Sequence, residues 1–189
     1  MTDKKDNQRK HWTIKITIWT LFLAIIIGFA SRYLFNEQQS LFVSFLILLT
    51  IIGLGIIFDL IGTAATAAEK GPINARATRK TPGSKKAVYL VKNADKVANF
   101  CCDVIGDISG IISGSLTTVI VVRLIIISGF NHDELYIGVL FIALVAAITV
   151  GGKSWGKTLA VKKATEVMIF TGLIISRLEK PFRVIKKKA

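Results

Sequence analysis

Acidic residues are scarce in this chain, and histidine and cysteine scarcer still. Twelve Asp and Glu stand against 25 Lys and Arg, with only two histidines and two cysteines in 189 residues. The cysteines are the neighbours Cys101 and Cys102 in an apolar setting, which excludes an intramolecular disulfide framework and gives no support to a two-cysteine metal site. They read as small apolar packing residues. Both histidines, His11 and His132, lie in polar segments. The chain carries no glycine-rich phosphate loop, no His-Glu-x-x-His pattern and no nucleophile with a base, so an enzyme is not expected. Nor does the net charge of +13 point to nucleic acid, because Tyr89 is the only aromatic in the long basic insert.

What is abundant is apolar sequence. Hydrophobic residues make up 52% of the chain, and the mean hydropathy is +0.56. Several runs are long enough to cross a bilayer. Nearly all basic residues fall between or outside those runs, and that asymmetry orients the chain by the positive-inside rule. Residues 1–13 form a basic tail. The apolar run 14–35 has the order of a signal peptide, but its length favours an uncleaved first span with a cytosolic N-terminus. The turn Asn36 to Ser40 is external. A second span runs from Leu41 to about Ala68.

The insert 69–98 carries Lys70, Arg76, Arg79, Lys80, Lys85, Lys86, Lys92 and Lys96, and is cytosolic. Pro72 and Pro82-Gly83 divide it into two short helical pieces. The second, from about Ser84 to Asn93, has an apolar side and lies along the membrane surface or the spans. A third span follows from about Asn99 to Phe130, then an external loop with no Lys or Arg, and a fourth span from Leu135 to about Gly151–Gly156. Thr165 to Leu178 is too short for a crossing and reads as a juxtamembrane helix. The basic tail 181–189 ends in the cytosol and attracts anionic lipid. The expected fold is an all-α, multi-pass protein of the cell membrane with four transmembrane helices, both termini inside, a pair of short basic helices and a C-terminal juxtamembrane helix.

The third span opens with ionisable groups where apolar ones belong. Asp103 and Asp107 are spaced i, i+4, one α-helical turn apart. Gly106, Gly110 and Gly114 form a smooth ridge for close helix packing, and Ser109, Ser113 and Ser115 add hydroxyl oxygens. Carboxylates inside a bilayer are costly and mark transport, proton relay or pairing; carboxylates near the headgroups would only reach water. At about 1.5 Å per residue, Asp59 lies roughly 27 Å along the second span, near its cytosolic edge, and Lys153 is equally deep in the fourth. Thr63 and Thr66 follow Asp59 in a run of small residues. Three carboxylates and the Lys153 ammonium are thus expected in one layer.

The order of these parts resembles the transmembrane domain of the CorB/CorC and cyclin M magnesium transporters over residues 41–185. Thr63-Ala64 resembles the Thr-Ala of that family's Ser-Glu-Thr-Ala turn, with Gly62 in place of Glu. Asn93 and Asp95 resemble its Asn-Pro-Asp/Glu, and Gly106-Asp107 its Gly-Asn. Gly152 to Lys157 resembles Gly-Glu-x-x-Pro-Lys, with Lys153 replacing the acid and Gly156 the helix-breaking proline. The resemblance implies a homodimer and a dehydrated Mg2+ held by hydroxyl and backbone oxygens. This chain adds a span at residues 14–35 and has no CBS pair within it.

Two functions fit these residues. One is a membrane cation transporter or carrier, best suited to Mg2+ as substrate, using Asp59, Thr63, Asp103, Asp107 and Ser109 between the second and third spans; Asp103, Asp107 and Thr63 are the metal candidates, and Lys153 is a charge partner. The other is a receptor, accessory subunit or scaffold that keeps the transporter fold while an Asp–Lys153 pair locks its cytosolic end. The expected partners are anionic lipid and a second copy, with an accessory protein open and nucleic acid excluded.

Overall fold

A computed structural model describes residues 14–26, 28–29, 40–128 and 134–186, with side chains at 134–135 and 180–186 left undescribed. Among the described residues every regular element is helical. They are α1 (Ile14–Ile26), α2 (Leu41–Ala67), α3 (Lys70–Thr78), α4 (Ser84–Lys92), α5 (Ala94–Ala98), a π-helical segment (Asn99–Gly106), α6 (Asp107–Ser128), α7 (Glu134–Lys162) and α8 (Ala164–Lys186). Three stretches are long and apolar enough to cross a membrane: Leu41–Ala67, Ala94–Ile127 and Tyr136–Lys162. Backbone amides can enter hydrocarbon only when bonded within their own segment, so helix is the form these runs must take. The protein is thus a helical membrane protein. Helix α1 is thirteen residues, short of a crossing length, and residues 30–39 of the expected first span and its following turn lie outside the described residues. The basic tails 1–13 and 187–189 also lie outside them.

The chain divides into two compact units. One comprises the described residues up to Gly55 together with Val104–Val150; the other comprises Ile56–Asp103 and the described residues from Gly151 onward. In the first unit, Gly55 sits against α6, where an added Cβ would stand 2.9 Å from the Cβ of Ser109. Phe45 and Phe141 meet edge to face with ring centres 5.5 Å apart, a favoured aromatic geometry. Several hydroxyls on the spans are satisfied locally: Ser109, Thr117 and Thr149 each donate to the carbonyl four residues earlier, at 2.7–2.8 Å, whereas the buried Ser44 hydroxyl has no partner.

The second unit is built on the basic insert, and its turn chemistry can be followed residue by residue. Helix α3 ends in a Schellman arrangement: the Lys80 amide donates to Ala77 O and the Thr81 amide to Arg76 O, which puts Lys80 at φ 56°. The next four residues, Thr81-Pro82-Gly83-Ser84, make a type II turn with proline second and glycine third at φ 84°, closed by Ser84 N–H to Thr81 O at 3.1 Å. The Ser84 hydroxyl donates to the same carbonyl at 2.6 Å.

This corner seats α4 on α8. A Cβ on Gly83 would fall 2.5 Å from Leu173 N, and one on Gly172 2.3 Å from Gly83 O, so the two backbones touch because neither residue has a side chain. The apolar side expected for α4 exists as Ala87 and Val91, buried with Ile73 of α3 and Ala160, Ala164 and Met168 of α7 and α8. Lys86 and Glu179 pair across the edge of this core. Helix α8 runs to Lys186, beyond the Leu178 end expected for the juxtamembrane piece, and exposes Phe170, Ile174 and Leu178 along one stripe. The short basic helices α3 and α4 are therefore packed against α8.

Candidate functional site

Among the described residues, Asp59 is the buried carboxylate of the second unit. It lies on the inward stripe of α2, in register with Leu48, Ile52, Gly55 and Gly62, and its side chain is 4% exposed. Burying a carboxylate without compensation is expensive, so its surroundings decide what it can do. Lys157 on α7 brings its Nζ to 3.4 Å from Asp59 Oδ2, yet Oδ2 accepts no hydrogen bond. A charge-assisted hydrogen bond between such groups normally spans about 2.7–2.9 Å. The Lys157 side chain is 54% exposed, so the pair joins one fixed, enclosed partner to one long, half-solvated one.

Two further groups face the carboxylate. The Cys102 thiol donates to Asp59 O at 3.5 Å, and its side chain also interacts with the Asp59 carboxylate and the Thr63 hydroxyl. Cys102 reaches this position because Gly62 is flat: a Cβ there would lie 2.4 Å from Cys102 Sγ and 3.1 Å from Cys101 Cβ. On α7, Gly152 and Gly156 lie against Ile56, and Gly156 also against Leu60, which brings the Lys157 turn beside α2. The result is a small enclosure of one carboxylate, one hydroxyl and one thiol, with an ammonium at its edge.

Helix α2 is unbroken through Gly62 to Ala67, and the Ala68 amide closes onto Ala64 O at 2.9 Å. Thr63 O accepts from the Thr66 hydroxyl at 2.9 Å. Helix α7 is equally continuous through Gly151–Gly156, as the absence of a proline at Gly156 allows. Backbone oxygens up to Ala64 on α2 and through Gly151–Gly156 on α7 are engaged in the helices, leaving side chains there as the oxygen donors.

The residues singled out by sequence divide between the units. Asp59, Thr63 and Asp103 belong to the second unit; Asp107 and Ser109 belong to the first. Asp103 and Asp107 are both exposed. Asp103 lies inside the π-helical segment, where bonding runs i to i+5, so the α-helical register behind the i, i+4 argument does not hold there. Among the described residues, no three His, Cys, Asp or Glu side chains form a group able to hold a metal ion. Ser109 serves as the contact for Gly55. Gly110 and Gly114 have nothing within 4 Å of an added Cβ, so among the described residues neither is in close contact with another helix, whereas Gly106 is buried.

The ammonium that reaches Asp59 is that of Lys157, one turn beyond Lys153, which is itself half-buried and engaged. Sequence reasoning missed Lys157, Cys102 and Gly62. The sequence reading names Lys153 as the charge partner; Lys157 follows it at i+4, and nothing local marks the later lysine. The chain matches no family model, no curated protein and no solved structure.

Proposed function

We propose that this chain is a membrane cation transporter or carrier, with Mg2+ as the substrate its residues best suit, and that Asp59 is the anionic group at the centre of its site. The observation that carries this reading is the enclosed Asp59 carboxylate, whose Oδ2 has no hydrogen-bond donor although it lies in a span. An ionisable group so placed is a functional candidate by default, and a hard cation prefers oxygen ligands of this kind. Thr63 supplies a second oxygen, and water supplies others, since Mg2+ keeps part of its hydration shell. Asp103, in the same unit, acts as an exposed carboxylate that raises local cation concentration. The four-span topology with both termini inside, a homodimer contact along Gly110 and Gly114, and the likeness to CorB/CorC proteins belong to the same proposal.

Calorimetry of the purified protein tests it, with Mg2+ against Ca2+ and Na+. Saturable Mg2+ binding lost in Asp59→Asn is the expected result, and wild-type binding that survives in this variant removes Asp59 from the site.

A second reading takes the Asp59–Lys157 pair as a lock in a non-transporting membrane protein, since the pair joins α2 to α7. That reading expects Lys157→Met to lose folded protein and the exchange Asp59→Lys with Lys157→Asp to recover it. Folded Lys157→Met protein in normal yield counts against it.

A further inference from the structure

We infer that Lys157 is a tethered surrogate cation: its ammonium occupies the Asp59 site at rest, and a metal cation binds by displacing it. This rests on the reading of Asp59 as a cation site and adds how occupancy of that site is regulated.

The two partners differ in freedom. Asp59 is 4% exposed, on a continuous helix and faced by Cys102 and Thr63, whereas the Lys157 side chain is 54% exposed. A lysine head on a four-carbon stem can leave the carboxylate and return to water without moving the helix that carries it. The contact also lacks the features of a permanent lock. Its separation is 3.4 Å and Oδ2 gains no hydrogen bond from it, while a buried pair contributes stability only with close geometry and filled hydrogen-bonding positions. A loose ammonium beside a carboxylate that cannot reach bulk water neutralises the site between occupants.

Displacement makes the metal and the ammonium mutually exclusive, so each must weaken the other by the same factor. Removing the ammonium therefore strengthens metal binding, and binding of the metal frees the ammonium.

Both consequences are measurable on the full chain in detergent. Mg2+ titration by calorimetry compares wild type, Lys157→Gln, Lys157→Arg and Asp59→Asn. The expected result is a Kd lowered about tenfold or more in Lys157→Gln, an unchanged or raised Kd in Lys157→Arg, and no binding in Asp59→Asn. In parallel, acylation of the Lys157 amine in wild-type protein is followed by mass spectrometry with and without saturating Mg2+. Its rate is expected to rise severalfold with Mg2+, and this measurement stands if Lys157→Gln fails to fold. An unchanged or raised Kd in folded Lys157→Gln overturns the displacement, as does a labelling rate that saturating Mg2+ does not alter, and Asp59-dependent binding in the wild type would leave the cation site standing. Folded protein that binds no Mg2+ in any variant overturns both proposals.

Discussion

At the scale of single residues, the site depends on what is missing as much as on what is present. Gly62 leaves bare backbone on α2, and the space a side chain there would need is filled by Cys102 Sγ, 2.4 Å from an added Cβ. The glycine and the cysteine are one packing solution. Gly62→Ala is expected to cost about 1–3 kcal/mol, the range for overpacking a filled interior, read as a lower Tm in detergent. Gly62→Ala combined with Cys102→Ala should recover most of that loss, because the small residue removes the clashing sulfur. Failure of the pair to recover would place the strain in the backbone beside Ala98. Asp59 is the opposite case, a group whose position was legible from its depth in an apolar run. Its partner was not, because choosing between two lysines a turn apart requires knowing how α7 is rotated about its own axis, and almost uniformly apolar spans carry little periodic signal to fix that rotation.

At the scale of elements, the α3–α4 corner follows from its residues. Pro82-Gly83 specifies a type II turn, and the glycine is required both for φ 84° and for contact with Ile169 and Leu173. Gly83→Ala is expected to cost about 2 kcal/mol or more, since it combines a disfavoured dihedral with overpacking, and to expose the α4–α8 seam to proteolysis. The converse applies one turn earlier. Lys80 holds a left-handed conformation at the end of α3, where glycine is the unstrained residue, so Lys80→Gly is expected to stabilise by about 0.5–1 kcal/mol, measured as a higher Tm. Ile73, 1% exposed, is the buried apolar anchor of α3; Ile73→Ala is expected to cost about 2–5 kcal/mol and to release that helix first. The turn and the apolar side of α4 were readable because their chemistry is local. The docking of α4 on α8 was not, since it depends on Gly83 meeting Gly172, 89 positions later, and nothing near either glycine marks the other.

At the scale of the whole molecule, the charge distribution makes a prediction that does not depend on the cation site. Residues 69–98 carry eight Lys and Arg, and residues 129–133 carry none. Moving eight basic side chains across a bilayer during insertion is disfavoured strongly enough that such an asymmetry sets orientation. The segment before Asn99 is thus expected inside and the segment after Ser128 outside, with the stretch Ala94–Ile127 crossing between them. The same count requires Leu41–Ala67 and Tyr136–Lys162 to cross in the opposite sense. Cysteine labelling decides the matter. In a background where Cys101→Ala and Cys102→Ser remove the native thiols, Asn131→Cys is expected to react with a membrane-impermeant maleimide in intact cells. Thr81→Cys, in the turn between α3 and α4, is expected to react only after permeabilisation. If the two positions react in the reverse order, the basic insert faces outward, and the Lys157 end of α7 faces outward with it, because that helix is continuous from Glu134 to Lys162. A site that draws cations from the cytosol could not then be built on Asp59, since the approach past its half-exposed lysine would open to the other side.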